Sequence, residues 1–394
     1  MSRTDSSTMV QQAAEIIEAL VVAGAASSIA YYVLCLWSAA RFLRQRKTAA
    51  EDSDARLSPV SVLKPLKGTD PEMYQSIRSH CLQDYEDYEI LFGVSDANDP
   101  AVELVERLRS EFPKHAIRLI VCREDLGANT KVSNLAQMLP EARYEFLIVN
   151  DGDIRVPPDY LRRVTAPLAD SKIGLVTCLY RGVAGPTLGS RLESLGISTD
   201  FCAGVLVAQQ LEGISFGLGS TLVFRRRDLA AIGGFAGFVD HLADDYELGN
   251  RINKLGLDVK LSELVVETFL PHYTMREFFR HQLRWARAVR DSRFGGYLGL
   301  GLTFGLPWAA LTLLFARGAA WAWALFIAVA IARLLVAVVV GGSVLRDRQA
   351  MRSLWLIPLR DVIALFIWLI SFTGHTISWR GESFQLKKGK LVRR

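Results

Sequence analysis

The sequence predicts an α/β domain, a doubly wound mixed sheet with helices on both faces, held between transmembrane helices at both ends. Three observations predict it. From about Ser58 onward, short β-rich runs alternate with segments of helical spacing, the pattern of strands joined by crossover helices. Apolar residues, half of the 394, pile up near the start and over the last quarter, while the middle, to about Arg293, has the mixed composition of a soluble domain. Acidic clusters stand at the C-terminal ends of apolar runs, where an open α/β sheet places its ligands.

The elements follow in order. Ile17 to Ser38 is apolar apart from Glu18 and long enough for about one bilayer span. The charged stretch from Arg41 to Lys47 comes after it, the reverse of a signal peptide, so the run is expected to be an uncleaved anchor with its C-terminal side in the cytoplasm. Residues Thr48 to Leu57 read as a linker. Strands are predicted at Val60–Pro65, Tyr88–Val94, Ile117–Cys122 and Tyr144–Val149, and helices at Tyr74–Leu82, Ala101–Phe112, Asn129–Leu139, Tyr246–Leu255 and Met275–Arg290. Two further spans are expected near Tyr297–Ala316 and Trp321–Leu345. Arg333 interrupts the second, and a charge at that depth faces the bundle or a cavity. The basic loop from Arg346 to Arg352 is expected in the cytoplasm. The last apolar run, Leu354 to His375, is taken as a full span. That choice puts the tail from Trp379 to Arg394 outside, whereas its basic charge argues for inside, so its side is left open. The expected division is 1–57 anchor and linker, 58–273 catalytic, 274–296 an interfacial helix, and 297–394 membrane helices and basic tail.

Composition excludes some functions. The formal charge of +5 lies largely beside apolar runs, which suits lipid headgroups and not nucleic acid. No G-x-G-x-x-G follows the first strand, which disfavours a dinucleotide-binding domain. The five cysteines form no C-x-x-C pair, so a disulfide framework or zinc site is not expected.

Chemistry concentrates in four clusters. Asp96 ends the second strand and can accept from a uracil ring or ribose, or simply close a turn. Asp151-Gly152-Asp153 can present two hard carboxylates to Mg²⁺ or Mn²⁺, although Asp-Gly is also a common turn. Asp244-Asp245 opens a helix, where acids complement the dipole and one of them can serve as a general base. In the Met275–Arg290 helix, Arg284 can hold a diphosphate with its planar fork and Trp285 can stack on a sugar or lipid, while the helix itself can lie on a membrane surface. Gly127 to Lys131 is a further candidate for phosphate contact, or a plain helix cap.

Taken in order, these clusters resemble the inverting nucleotide-sugar glycosyltransferases with D, DxD, ED and (Q/R)xxRW motifs. The sequence is most similar to the ceramide glucosyltransferase family, including bacterial hopanoid-lipid glycosyltransferases, through Leu63-Lys64-Pro65-Leu66-Lys67-Gly68, Asp96 to Pro100, Asp151 to Val156, Asp244-Asp245-Tyr246 and Arg284-Trp285. The resemblance implies a GT-A-like sheet and an integral membrane enzyme with a cytoplasmic catalytic domain, in a bacterial inner membrane. It implies Asp96 on the nucleotide side and Asp151 and Asp153 on the metal; Lys64, from its motif, and Lys131, from its glycine turn, are expected on the nucleotide as well. It makes Asp245 the base with Asp244 in support, and sets Arg284, Trp285 and Gln282 against diphosphate and acceptor. Two positions depart from the pattern: His281 stands at the first motif position, with Gln282 adjacent, and Asp244 replaces the usual glutamate. The expected reaction moves a hexose from a UDP-sugar to a membrane-lipid hydroxyl. Alternatives are a hopanoid acceptor with UDP-N-acetylglucosamine, a polysaccharide synthase, and a non-catalytic scaffold.

Overall fold

The structure, a computed structural model, describes residues 3–49, 58–379 and 382–393. The linker expected over Thr48–Leu57 falls mostly outside them. One eight-stranded sheet comprises β1 (Val60–Pro65), β2 (Tyr88–Val94), β3 (Ala116–Val121), β4 (Phe146–Val149), β5 (Ile154–Arg155), β6 (Ile173–Val183), β7 (Leu222–Arg225) and β8 (Asp258–Phe269). Their order is β3-β2-β1-β4-β7-β6-β8-β5. β1 runs parallel to β2 and β4, and β2 to β3, whereas β7 is antiparallel to β4 and β6. The chain winds outward from β1 to β3 and then returns to the other side of β1. That reversal opens a crevice at the C-terminal ends of β1 and β4.

The strands read as apolar runs because both faces are covered. Neighbouring residues point to opposite faces, so Val62, Ile90, Phe92, Ile148 and Val223 enter one core and Leu63, Leu91, Leu147, Val149 and Phe224 the other. β1 and β2 fall where the sequence places them, and β3 and β4 within two residues of it. The sequence reading did not locate β5 to β8, nor the helical run of Leu188–Gly196, a π turn at Ile197–Phe201, and Cys202–Leu211. All five cysteines are buried free thiols.

Three helical stretches, Ala14–Arg46, Ala320–Val344 and Leu354–Ser371, are long and apolar enough to cross a membrane, and Phe294–Thr303 with Gly305–Phe315 forms a pair bent by 52°. Close contacts align the first with the bent pair. Ser28 Oγ donates to Leu302 O at 2.8 Å, and a Cβ on Gly24 would stand 2.6 Å from the Trp308 ring. The anchor helix also shares one core with the sheet, through Cys35, Ala39 and Phe42. Arg333 faces the bundle, 3 % exposed. Its guanidinium donates to both Asp361 oxygens at 2.9 Å and to Thr199 O at 3.1 Å.

The last apolar run, Leu354–Ser371, keeps the length and composition of a crossing helix and is also bound to a neighbouring helix. Near its start, Arg360 Nη2 donates to Gln282 Oε1 at 3.0 Å; at its end, Arg290 donates to the Ser371 carbonyl. Both ends are therefore tied to the amphipathic helix Met275–Ser292, along which the run lies. The loop before it is held by the sheet domain, with Ser198 Oγ donating to Asp347 Oδ2 at 2.6 Å and Arg181 Nη1 to Leu345 O at 2.8 Å. The tail beyond is a small antiparallel sheet of β9 (Thr376–Trp379), β10 (Glu382–Lys387) and β11 (Lys390–Arg393). It docks on the sheet domain: Leu391 N donates to Asp240 O at 2.7 Å and Leu242 N to Gly389 O at 3.0 Å. The 346–352 loop and the tail therefore both pack against the sheet domain.

Candidate functional site

The crevice between β1 and β4 is built on a rigid turn. β4 runs into Asn150, fully buried, whose amide donates to Tyr160 Oη at 2.9 Å and Ser220 O at 2.6 Å. Lys64, expected on the nucleotide, is instead fully buried beneath this turn, with Nζ donating to the Asp151 carbonyl at 2.9 Å. Burial lowers its ammonium to about 7.

Above the turn, carboxylates from distant segments converge. Lys131 Nζ lies 2.8 Å from Asp151 Oδ1 and 3.0 Å from Asp244 Oδ2. Asp245 has no such cation in direct contact among the described residues; its oxygens accept from Gly219 N at 2.9 Å and from Tyr246 N at 2.8 Å. Gly219 floors the pocket, since a Cβ there would lie 3.2 Å from Asp151 Oδ2 and 3.4 Å from Asp245 Oδ2. Asp153 stands beside them and accepts from Thr268 Oγ1. One lysine does not balance four carboxylates. Burial, and then Asp244, push Asp245 up to about 6; burial, and then Asp151, push Asp153 up to about 6.

The Met275–Ser292 helix starts at a capping box of Thr274 and Glu277. His281, Arg284 and Trp285 share one face by the three- and four-residue spacing, which turns Gln282 away from Arg284. Gln282, expected beside the diphosphate, accordingly binds Glu193 at 2.8 and 3.0 Å. His281 Nδ1 lies 3.3 Å from Glu193 Oε1 without hydrogen-bond alignment. Burial raises Glu193, but His281, Arg360 and Gln282 outweigh it and leave the acid lowered. An aromatic wall runs from Tyr273, stacked on His281 at 5.2 Å, through Trp285 to Phe201 and Tyr180. It joins the two halves of the site. The Tyr273 hydroxyl, raised by burial and then by Glu193, feels both Arg284 and Asp153. Tyr180, raised by burial and then by Cys202, feels Asp245 and Asp151.

Asp96 stays apart. It is exposed at the end of β2, accepting from Asn98 N at 2.9 Å, two strands from β4 and so roughly 10 Å away across the sheet. Asp99, not singled out from sequence, accepts from Gly68 N at 2.9 Å and binds the two loops at the crevice mouth together. Glu193, Tyr273, Gly219 and Thr268 were also missed. Only Glu193, an acid within an otherwise apolar helical face, left a trace in the sequence.

The helix that starts with Asp244 and Asp245, Asp244–Lys254, packs closely through Gly249, where a Cβ would stand 2.3 Å from Gly217 N. Gly→Ala in an open helix gains about 1 kcal/mol. At Gly249 overpacking against backbone is expected to reverse the sign and cost roughly 1–3 kcal/mol, readable as a lowered thermal midpoint.

Among the described residues, no three His, Cys, Asp or Glu side chains stand close enough to enclose a metal ion unaided. Asp151, with 41 % of its side chain exposed, and Asp153 offer hard oxygens and surplus negative charge on one side only. The donor set therefore fits a hard divalent cation whose remaining ligands come from a bound molecule.

Comparison with known proteins agrees with this architecture. A family model described as glycosyl transferase family 21 matches residues 20–392. Ceramide glucosyltransferase 1 of Caenorhabditis elegans is 27% identical over 237 residues, 60% of this chain and 51% of that protein. Ceramide glucosyltransferase 3 of the same organism is 25% identical over 261 residues, 65% and 57%. The chain thus spans about half the length of these relatives. Among solved structures, the mannosyltransferase PcManGT from Pyrobaculum calidifontis, in complex with GDP-Man and Mn2+, superposes with a TM-score of 0.55 at 20% identity, covering 91% of this chain and 97% of that one. The fold is GT-A-like.

Proposed function

The chain belongs to glycosyl transferase family 21, and from that premise we propose that it is a membrane-bound, inverting glycosyltransferase moving a hexose from a UDP-sugar to a lipid hydroxyl. The observation that carries the reading is the meeting of Asp151, Asp244 and Asp245 around Lys131 and Gly219, at the sheet's switch point and beside an amphipathic helix bearing Arg284 and Trp285. Residues 58–273 bind the donor from the cytoplasmic side, and the helix in 274–296 lies at the bilayer surface.

Asp96 lies where a nucleoside reaches from the crevice. Asp245 accepts the proton of the acceptor hydroxyl as its oxygen bonds to the anomeric carbon. The bond from that carbon to the β-phosphate oxygen breaks, its electron pair leaves with UDP, and the configuration inverts. Lys131 and Arg284 meet the charge of the leaving diphosphate. Asp151 and Asp153 would hold Mg²⁺ or Mn²⁺, which when bound neutralises part of that charge. Trp285, Phe201 and Tyr180 form an apolar wall along which a lipid tail can lie. Asp244, locked to Lys131, supports the pocket. Lys64 anchors the metal-binding turn from below, and Gln282 ties the helix to Glu193.

The test is mass spectrometry, with proton NMR of the anomeric centre, of lipid made by membranes holding the protein, supplied with labelled UDP-glucose or UDP-N-acetylglucosamine and with ceramide or a hopanoid polyol. A single-sugar lipid of inverted anomeric configuration is expected. A polymeric product, or UDP-sugar left unconsumed with every acceptor, would overturn the proposal.

A further inference from the structure

Three segments that carry candidate site residues meet on the small C-terminal sheet. The turn before Lys131 is held by Arg393, 2.5 Å from Asp125. The segment before Asp244 and Asp245 pairs with it through Asp240 and Leu242. The helix bearing Arg284 meets it at Thr376, whose carbonyl accepts from Arg287. Ala128, Leu242, Ile377, Phe384, Leu386 and Leu391 form one buried cluster at this junction, with Ala288 and Trp379 packed on it. Beside it, the Arg284 guanidinium carbon stands over the half-buried Trp379 ring at 5.8 Å from the centroid.

We propose that this sheet is a wall of the donor site and that Trp379 is a positioning residue, its indole face setting the plane of the Arg284 guanidinium for the departing diphosphate. The inference rests on the donor reading given above. A ring contact of this kind restricts the rotamers of the long side chain, and a planar guanidinium held in one orientation can meet two phosphate oxygens with its fork. The sheet itself is fixed by its fold: Lys388 and Gly389 both have positive φ, 50° and 78°, and connect β10 to β11 as a two-residue turn suited to hairpin twist.

The experiment titrates UDP with Mn²⁺ into the purified full-length protein by calorimetry. It compares the native protein, Trp379→Phe, Trp379→Leu and Arg284→Ala, and combines each Trp379 change with Arg284→Ala. Phe keeps a ring face and Leu does not; Trp379→Met replaces the Leu variant if that one fails to fold. The Phe variant is expected within about threefold of native affinity, and the Leu variant about tenfold weaker. In the Arg284→Ala background the Leu change is expected to add almost nothing, because its effect passes through the absent arginine. Equal affinities for Phe and Leu, or an undiminished Leu penalty without Arg284, would overturn the role of Trp379. Native protein that binds no UDP would instead sink the donor reading.

Discussion

Asp245→Asn is expected to lower acceptor-dependent UDP release by about 10²–10⁴-fold, the range for loss of a general base, while binding of UDP with Mn²⁺ persists. The geometry separates Asp245 from its neighbour. Asp244 is spent on Lys131 at 3.0 Å, which occupies its carboxylate. Among the described residues Asp245 accepts from two backbone donors, and burial with Asp244 beside it holds it near 6. The base must be ionised to act, so the rate should rise with pH through about 6 and fall below it. Removing the like charge in Asp244→Asn should move that acid limb to lower pH, leaving the share due to burial. Steady-state rates between pH 5 and 8 decide it: an Asp245→Asn enzyme with native turnover would exclude the assignment.

The second large effect is structural. Arg333→Leu leaves Asp361, 7 % exposed, without its bidentate partner. Breaking a buried pair in this way costs about 3–5 kcal/mol. The Thr199 carbonyl loses a donor as well, and it lies on the π turn whose last residue, Phe201, packs against Trp285. Thermal unfolding in detergent should show the loss. Arg333→Leu with Asp361→Leu should recover much of it, because an apolar pair of similar volume leaves no unpaired charge. A double variant no more stable than the single would count against this account.

How far the sequence reveals this depends on how local each signal is. β1 to β4 were legible because each is a short apolar run ending in a turn, and the acidic clusters because each is contiguous. Lys64 was misplaced because a motif lysine gives no sign of facing down into the core. Gln282 was legible and misread: helical spacing alone separates it from Arg284. The C-terminal sheet is legible too, with Ile377 and Trp379, then Phe384 and Leu386, in alternation and Leu391 beyond a Lys-Gly turn, but its basic charge reads as topology. The gathering of Lys131, Asp151, Asp244 and Gly219 was beyond reach, since it depends on how β4 and β7 sit in register and not on any local pattern.

The last apolar helix is stapled to its amphipathic neighbour near both ends, by Arg360 to Gln282 and by Arg290 to the Ser371 carbonyl. Displacing one is therefore expected to drag the other. The helix that carries Arg284 and Trp285 would then answer to strain in the surrounding lipid as well as to its ligands.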